Sequence, residues 1–279
     1  NVLKLMIEVK DLRKSFDGVE VLKGITTTFE TGKVNLVIGQ SGSGKTVFLK
    51  SLLNVYEPTS GHILFDGRDI VGMSRQEKEA LRAEIGTVFQ GSALFDSMTV
   101  QDNIMFPLDM FTNLTFTEKK KRVKEVIGRV HLENAEKKFP SEISGGMQKR
   151  VAIARAIVNN PRYLFCDEPN SGLDPFTANI IDDLIAEITE EYNTTTIINS
   201  HDMNSVMTIG EKIVYLRKGI KEWEGTKDIL ITSDNNYLID FVYSSELFKE
   251  LREYLIKINK TSIDNIITTV ENETDQENI

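Results

Sequence analysis

Hydrophobic and polar positions along this chain change period several times, and the changes mark out its elements. Residues 5–10 and 20–29 alternate apolar with polar or β-branched side chains, which predicts two antiparallel strands; residues 10–20 connect them and carry an Asp17-Gly18 turn signal. Residues 62–65 form a further short strand. Short apolar runs at 34–38, 85–89, 163–167 and 195–199 read as buried strands of a parallel core. Residues 212–216 and 220–224 read as a closing hairpin around Lys218-Gly219. After Gln90 the spacing turns helical. In 118–131, Val123, Val126, Ile127 and Val130 share one face, and Lys119, Lys120, Lys121, Lys124 and Glu125 occupy the rest. Residues 94–111 are rich in Met and Phe, and read equally as core or as an exposed groove for a partner helix. Residues 237–257 carry Leu238, Ile239, Phe241, Val242, Leu247, Leu251, Leu255 and Ile256 mostly at helical spacing. They predict one or two amphipathic helices, docked on their own domain or on a second protomer. Residues 271–279 are acidic without an apolar pattern and are expected to be mobile.

The strand at 34–38 runs directly into Gly39-Gln40-Ser41-Gly42-Ser43-Gly44-Lys45-Thr46, and the run 47–53 leaves it as a helix. The octapeptide fills every fixed position of GxxxxGK[ST], the phosphate-binding loop, in the strand–loop–helix setting that its chemistry needs. Glycines let backbone N–H groups turn inward around phosphate oxygens, and the helix N-terminus adds positive potential. Lys45 is placed to reach the β- and γ-phosphates, and the Thr46 hydroxyl to ligate Mg²⁺. A nucleoside triphosphate is therefore the expected ligand.

A second anion-type site lies downstream. Ile143-Ser144-Gly145-Gly146-Met147-Gln148-Lys149-Arg150 opens the helical run 151–157. Ser144 is a good N-cap, and Gly145 and Gly146 allow close backbone approach, although an ordinary capped helix would look the same in isolation. The segment resembles the LSGGQ signature of ABC-type ATPases, with Ile143 for Leu and Met147 for Gln. The other parts of that family follow in its order. Tyr163-Leu164-Phe165-Cys166-Asp167-Glu168 is similar to Walker B, an apolar strand ending in two carboxylates. Taken singly, these residues have bland readings: a packing Phe, a surface His, a solvated strand end. The resemblance covers about residues 6–230 and implies their roles. Asp167 helps to hold Mg²⁺, and Glu168 is the general base for the attacking water. Ser171-Gly172-Leu173-Asp174 is the D-loop, with Asp174 at the nucleotide. His201 is the switch histidine that senses the γ-phosphate. Gln90 is the Q-loop glutamine, a metal ligand that couples the nucleotide to a partner subunit, and Phe16 stacks on adenine. The implied catalytic set is Glu168, His201, Gln90 and Lys45, with ATP and Mg²⁺ as cofactors and Thr46, Gln90 and Asp167 as metal ligands.

The fold that follows is α/β, a P-loop NTPase of ABC type. It has a mostly parallel core sheet with helices, an antiparallel β subdomain on the adenine side, and a helical subdomain at about 91–160 that meets a membrane subunit. The cassette is expected to span 1–232, with a helical extension and acidic tail at 233–279. The family pairs as a homodimer, head to tail, with each ATP between one phosphate loop and the other copy's Ser144, Gly145 and Gly146.

Composition narrows the work. A net charge of −9 argues against nucleic acid as a partner. The single cysteine, Cys166, falls inside a buried strand and suggests a reducing compartment. No apolar run approaches the roughly 18–20 residues that span a bilayer, and no signal-peptide pattern is present. The chain begins at Asn1, and Met6 is a candidate native start. Transport through separate integral membrane permease subunits is expected. Phe89-Gln90-Gly91-Ser92-Ala93-Leu94-Phe95-Asp96-Ser97-Met98-Thr99-Val100, Asp102-Asn103-Ile104 with Pro107-Leu108, and Ser144-Gly145-Gly146-Met147 resemble the ATPase of Mla-type, Mce-associated phospholipid transporters. That resemblance implies glycerophospholipid cargo moved between bacterial inner and outer membranes. It also implies an Mce-domain lipid-binding protein in the complex and a peripheral position on the cytoplasmic face of the inner membrane. An importer for a polar solute, and a soluble ABC ATPase without membrane partners, remain the alternatives.

Overall fold

The antiparallel pair at the N-terminus forms, and runs further than its pattern predicts. β1 (Met6–Phe16) and β2 (Val19–Glu30) pair from Met6 opposite Glu30 to Phe16 opposite Val19. The expected connection at 10–20 is therefore strand up to the Asp17-Gly18 turn. Register shifts between Val9 and Leu12, Leu12 and Arg13, and Lys14 and Ser15 explain the misreading. Each bulge resets the alternation while the pairing continues. The structure, a computed structural model, describes residues 6–244, 249, 250, 252–254 and 257. Asn1, Leu247, Leu251, Leu255, Ile256 and the acidic end at 271–279 lie outside the described residues.

The described residues divide into two compact units that part between Glu224 and Gly225. In the first, β3 (Lys33–Ile38) leads into α1 (Lys45–Leu52), and β4 (Ser60–Phe65) and β5 (Arg68–Asp69) complete a sheet in the order β2-β1-β4-β5. After α2 (Arg75–Ala83) come β6 (Ile85–Val88), α3 (Val100–Phe111), α4 (Phe116–Arg129), α5 (Gly145–Ile157) and β7 (Tyr163–Asp167). Then follow α6 (Pro175–Tyr192), β8 (Thr195–Ser200), α7 (Met203–Thr208), β9 (Lys212–Arg217) and β10 (Ile220–Gly225). The second sheet has the order β10-β9-β3-β8-β7-β6. β3 pairs in parallel with both β8 and β9, and β7 pairs in parallel with β8 and β6. β9, expected only as half of a closing hairpin, is thus a parallel member of the core.

One apolar cluster joins the two sheets through α1. Ile7, Leu22, Phe29 and Phe65 come from the antiparallel sheet, Val37, Phe165, Ile197 and Val214 from the parallel one, and Phe48 and Leu52 from α1. A helix of eight residues has little stability alone. Burying Phe48, Leu49 and Leu52, about 2 kcal/mol each, holds α1 and with it the loop that precedes it. α3, α4 and α5 pack on one another, and α5 also rests on β6. α3 resolves the Met- and Phe-rich stretch into both of its readings. Val100, Ile104, Met105 and Leu108 are core, whereas Phe95, Met110 and Phe111 are exposed. In the second unit lie α8 (Lys227–Thr232) and α9 (Asn236–Val242), the latter capped by the Asn235 side chain, which accepts from Leu238 N.

Candidate functional site

The C-terminal ends of β3, β7 and β8 gather the chemistry, as parallel sheets do. β3 ends at Ile38, and Gly39 takes φ +153°; a Cβ there would lie 2.3 Å from Leu216 O and 2.6 Å from Ser43 Oγ, so only glycine fits. Lys45 is buried at the start of α1 and donates Nζ–H to Gly39 O at 2.7 Å and Gln40 O at 3.2 Å, closing the loop on itself. Burial lowers its pKa, and the carboxylates of Glu168 and Asp167 pull the other way. The Ser43 hydroxyl is buried with no protein partner. An orphaned donor in a glycine-rich loop, beside an ammonium and a helix N-terminus, fits a polyphosphate.

β7 delivers Asp167 and Glu168. Asp167 Oδ1 accepts from Asn199 Nδ2 at 3.1 Å, and the Asn199 Oδ1 on the other side of that amide is buried and unpartnered. Glu168 sits at φ 47°, a left-handed conformation that is costly for a residue with a Cβ, and its N–H donates to Asn199 O at 3.0 Å. Its two oxygens are divided: Oε1 lies 2.9 Å from His201 Nδ1, and Oε2 accepts from Gln90 Nε2 at 2.9 Å. Gln90 Nε2 is also 3.2 Å from Ser171 Oγ. Among the described residues no three His, Cys, Asp or Glu form an all-protein metal cage. The donors available here, the Thr46 hydroxyl, Gln90 and Asp167, suit Mg²⁺, which keeps waters and shares phosphate oxygens.

Gln90, Glu168, Ser171 and His201 thus meet directly, with Lys45 and Asp167 beside them. The remaining expected residues stand elsewhere. Phe16, partly exposed at the hairpin tip, packs edge-on against Tyr56 with ring centroids 5.1 Å apart, and Lys14 Nζ lies 4.8 Å above its ring. Ser144 caps α5, accepting from Met147 N at 3.3 Å. A Cβ on Gly146 would come within 2.7 Å of Thr177 Cγ2, so the glycine lets α5 approach the start of α6. Asp174 caps α6, accepting from Thr177 N at 3.0 Å and Thr177 Oγ1 at 2.6 Å, which holds its carboxyl below the usual range. The residues Ser144–Gly146 therefore face the D-loop side of their own chain, with Gly145 near Leu173, instead of joining the Lys45 cluster.

Three groups escaped the sequence reading. Lys149, buried in α5, donates Nζ–H to Gln90 O; burial lowers its pKa, countered by Cys166 and Glu168. Arg155, two turns on, donates to Ser92 O and Ala93 O, both at 2.7 Å. Ser92 and Ala93 are left-handed at φ 61° and 49°, so α5 clamps a strained segment directly after Gln90. The third group is Tyr56, at Phe16. A cation inside the apolar helical run 151–157 was the available signal for Arg155. Beside the clamp, Phe89, Ala93, Phe95, Met110, Phe111 and Arg155 help line a groove of about 260 Å³.

Comparison with known proteins places these features. The family model described as ABC transporter matches residues 22–171. The chain is 39% identical over 236 residues to a protein of Mycobacterium tuberculosis described as a probable ribonucleotide transport ATP-binding protein, mkl; the match covers 85% of this chain and 66% of that protein. It is 38% identical over 224 residues to the methionine import ATP-binding protein MetN 2 of Oceanobacillus iheyensis, covering 79% of this chain and 65% of the other. The chain thus spans just under two thirds of the length of these relatives. Among solved structures, the dimeric MJ0796, a bacterial ABC transporter cassette, superposes with a TM-score of 0.73 at 32% identity, over 79% of this chain and 98% of that one.

Proposed function

This chain belongs to the ABC transporter family of ATP-binding cassettes, and on that premise we propose that it is the ATP-hydrolysing subunit of a bacterial transporter whose permease subunits are separate membrane proteins. The observation that carries the reading is the Glu168 carboxylate, held on one oxygen by His201 and on the other by Gln90, at the strand ends beside Lys45 and Asp167. Lys45 and the loop amides bind the β- and γ-phosphates, and Phe16 packs against the adenine. Thr46, Asp167 and Gln90 would hold Mg²⁺, which would supply neutralisation of the phosphate charge. Glu168 accepts a proton from the attacking water, with His201 fixing the carboxylate and reporting on the γ-phosphate. Ser144, Gly145 and Gly146 serve the nucleotide of a second copy, so that two chains close on two ATP molecules and part after hydrolysis.

Among the described residues no helix is long and apolar enough to cross a membrane. The groove beside Ser92 and Ala93 is the proposed seat of a permease helix, because it combines exposed aromatic and Met side chains with Phe89, the residue directly before Gln90. We place the chain at the cytoplasmic face of the inner membrane. For cargo we propose glycerophospholipid, with an Mce-domain protein in the complex. This is supported by the string from Phe89 to Val100 and by Met147 in the signature, both similar to Mla-type ATPases. A polar-solute importer is the second reading, favoured by the ribonucleotide transport and methionine import described for the mkl and MetN 2 relatives. Affinity purification from solubilised native membranes separates them. A permease with an Mce-domain protein and bound phospholipid supports the first; a permease with a solute-binding protein replaces it with the second.

A further inference from the structure

A buried polar knot lies behind the catalytic loops and takes no part in the roles assigned above. Asp182 is 2% exposed on the inner face of α6, where its neighbours on that face are Ala178, Ile181, Leu184, Ile185 and Ile188. Its Oδ2 accepts from Ser205 Oγ at 2.6 Å, and both of its oxygens lie 3.3 Å from Asn170 Nδ2. The same amide nitrogen is 2.9 Å from Ser205 Oγ and 3.4 Å from Asp202 Oδ2. Asp202 is itself fixed, capping α7 through Asn204 N at 2.8 Å and donating its N–H to Ser200 Oγ at 3.0 Å.

Placement gives the knot its meaning. Asn170 follows Glu168 by two residues, and Asp202 follows His201 directly. One carboxylate therefore ties the loop that carries the base to the loop and helix that carry the switch histidine. A carboxylate in an apolar helix face is costly to bury, and an apolar side chain of the same size would pack there more cheaply. Its two donors lead to the two loops whose side chains meet at Glu168 and His201.

We propose that Asp182 is a positioning residue for ATP hydrolysis, holding the Asn170 loop and α7 in register so that Glu168 and His201 keep their contact. The inference rests on the ATPase reading above. Nucleotide binding, which belongs to the 39–46 loop, does not pass through Asp182; the knot acts on turnover alone.

The test measures steady-state ATP hydrolysis and thermal unfolding of the 279-residue chain. The variants are Asp182→Asn, Ser205→Ala, and the exchange Asn170→Asp with Asp182→Asn. Asp182→Asn keeps the shape but leaves one acceptor for two donors. Its kcat is expected to fall roughly 10- to 100-fold, as for a small misplacement of catalytic groups. KM for ATP should move less than about threefold, and the unfolding midpoint should stay near that of the unsubstituted chain. The exchange, which restores a carboxylate across the same pair, should recover part of the lost kcat. Ser205→Ala should lower kcat less, again with KM unmoved, and it decides the matter alone if Asp182→Asn does not fold. Unchanged kcat in Asp182→Asn and Ser205→Ala overturns the proposal. So does a joint fall of kcat, affinity and unfolding midpoint without recovery in the exchange. Absence of hydrolysis by the unsubstituted chain would instead count against the ATPase reading, which keeps the two failures distinct.

Discussion

Glu168 Oε1 and His201 Nδ1 lie 2.9 Å apart, at the ends of the adjacent parallel strands β7 and β8. The contact has a consequence for the proton inventory. If Nδ1–H is given to an ionised Glu168, a neutral ring has only a lone pair left at Nε2. Donation from Nε2 to a phosphate oxygen then requires a second proton on the ring, or release of Glu168. In the proposed mechanism the pair registers the γ-phosphate, because binding it would change what Glu168 is bonded to.

His201→Ala should therefore slow the chemical step and spare binding. We expect kcat to fall about 100-fold, in the range for loss of a group that serves proton transfer. ATP affinity, measured by fluorescent-nucleotide titration, should stay within a few-fold. A large loss of affinity with kcat intact would reverse this assignment.

Lys45→Ala should do the opposite. Its ammonium is the buried positive charge of the phosphate loop, and charge-assisted bonds of this kind are worth about 1.5–3 kcal/mol. ATP binding should weaken about 10- to 100-fold by titration calorimetry. Equal affinity in the variant would place the phosphates elsewhere.

Arg155 holds two carbonyls at 2.7 Å in the left-handed segment after Gln90. Arg155→Ala leaves those carbonyls without their charged partner and frees the strained turn, so denaturant unfolding should show a loss of about 1–3 kcal/mol. Arg155→Lys should restore only part, since an ammonium lacks the fork that spans two oxygens. Full stability in Arg155→Ala would mean that the turn holds itself.

Asp182 gives a pH dependence of definite sign. Burial pushes its pKa up to about 6 from the ordinary 3.8; the Ser205 and Asn170 donors lower it, and Asp202 and Asp183 raise it further. The folded state therefore binds this proton more tightly than the unfolded chain does. Stability contributed by the group is fully present below the unfolded pKa and is lost as pH rises through the folded one. Between pH 7 and pH 5 the unsubstituted chain should gain about 1 kcal/mol relative to Asp182→Asn, read from denaturant unfolding at the two pH values. A difference that does not change with pH, or changes in the other sense, would show that Asp182 titrates normally.

Much of the site was legible because its chemistry is local. Gly39 to Gly44 form the loop between β3 and α1, with Lys45 and Thr46 opening the helix, and Asp167 ends β7 with Glu168 directly after it, as an apolar run followed by two acids predicts. What escaped depends on contacts distant in sequence. Lys149 and Gln90 are 59 residues apart, and nothing near either announces their bond. Asn170 and Ser205 are 35 apart and look like ordinary loop and helix polar residues. β9 forms the expected hairpin with β10, but its second partner, β3 in parallel, went unread because a short apolar run does not reveal what lies on its other side. α6, the longest helix among the described residues, went unread although Asp174-Pro175 is a cap followed by a first-turn proline, the usual opening of a helix.

The central claim, that Glu168 is the base of an ATPase that closes as a dimer on ATP, is tested most directly by Glu168→Gln. Phosphate release and light scattering on a sizing column, with ATP and Mg²⁺, are measured on the same sample. The amide keeps the shape and the neighbours but cannot take a proton from water. Hydrolysis should fall by at least about 100-fold while ATP stays bound, and the variant should elute as a dimer that the unsubstituted chain forms only transiently. Hydrolysis at the unsubstituted rate, or a variant that remains monomeric with ATP bound, would contradict the account.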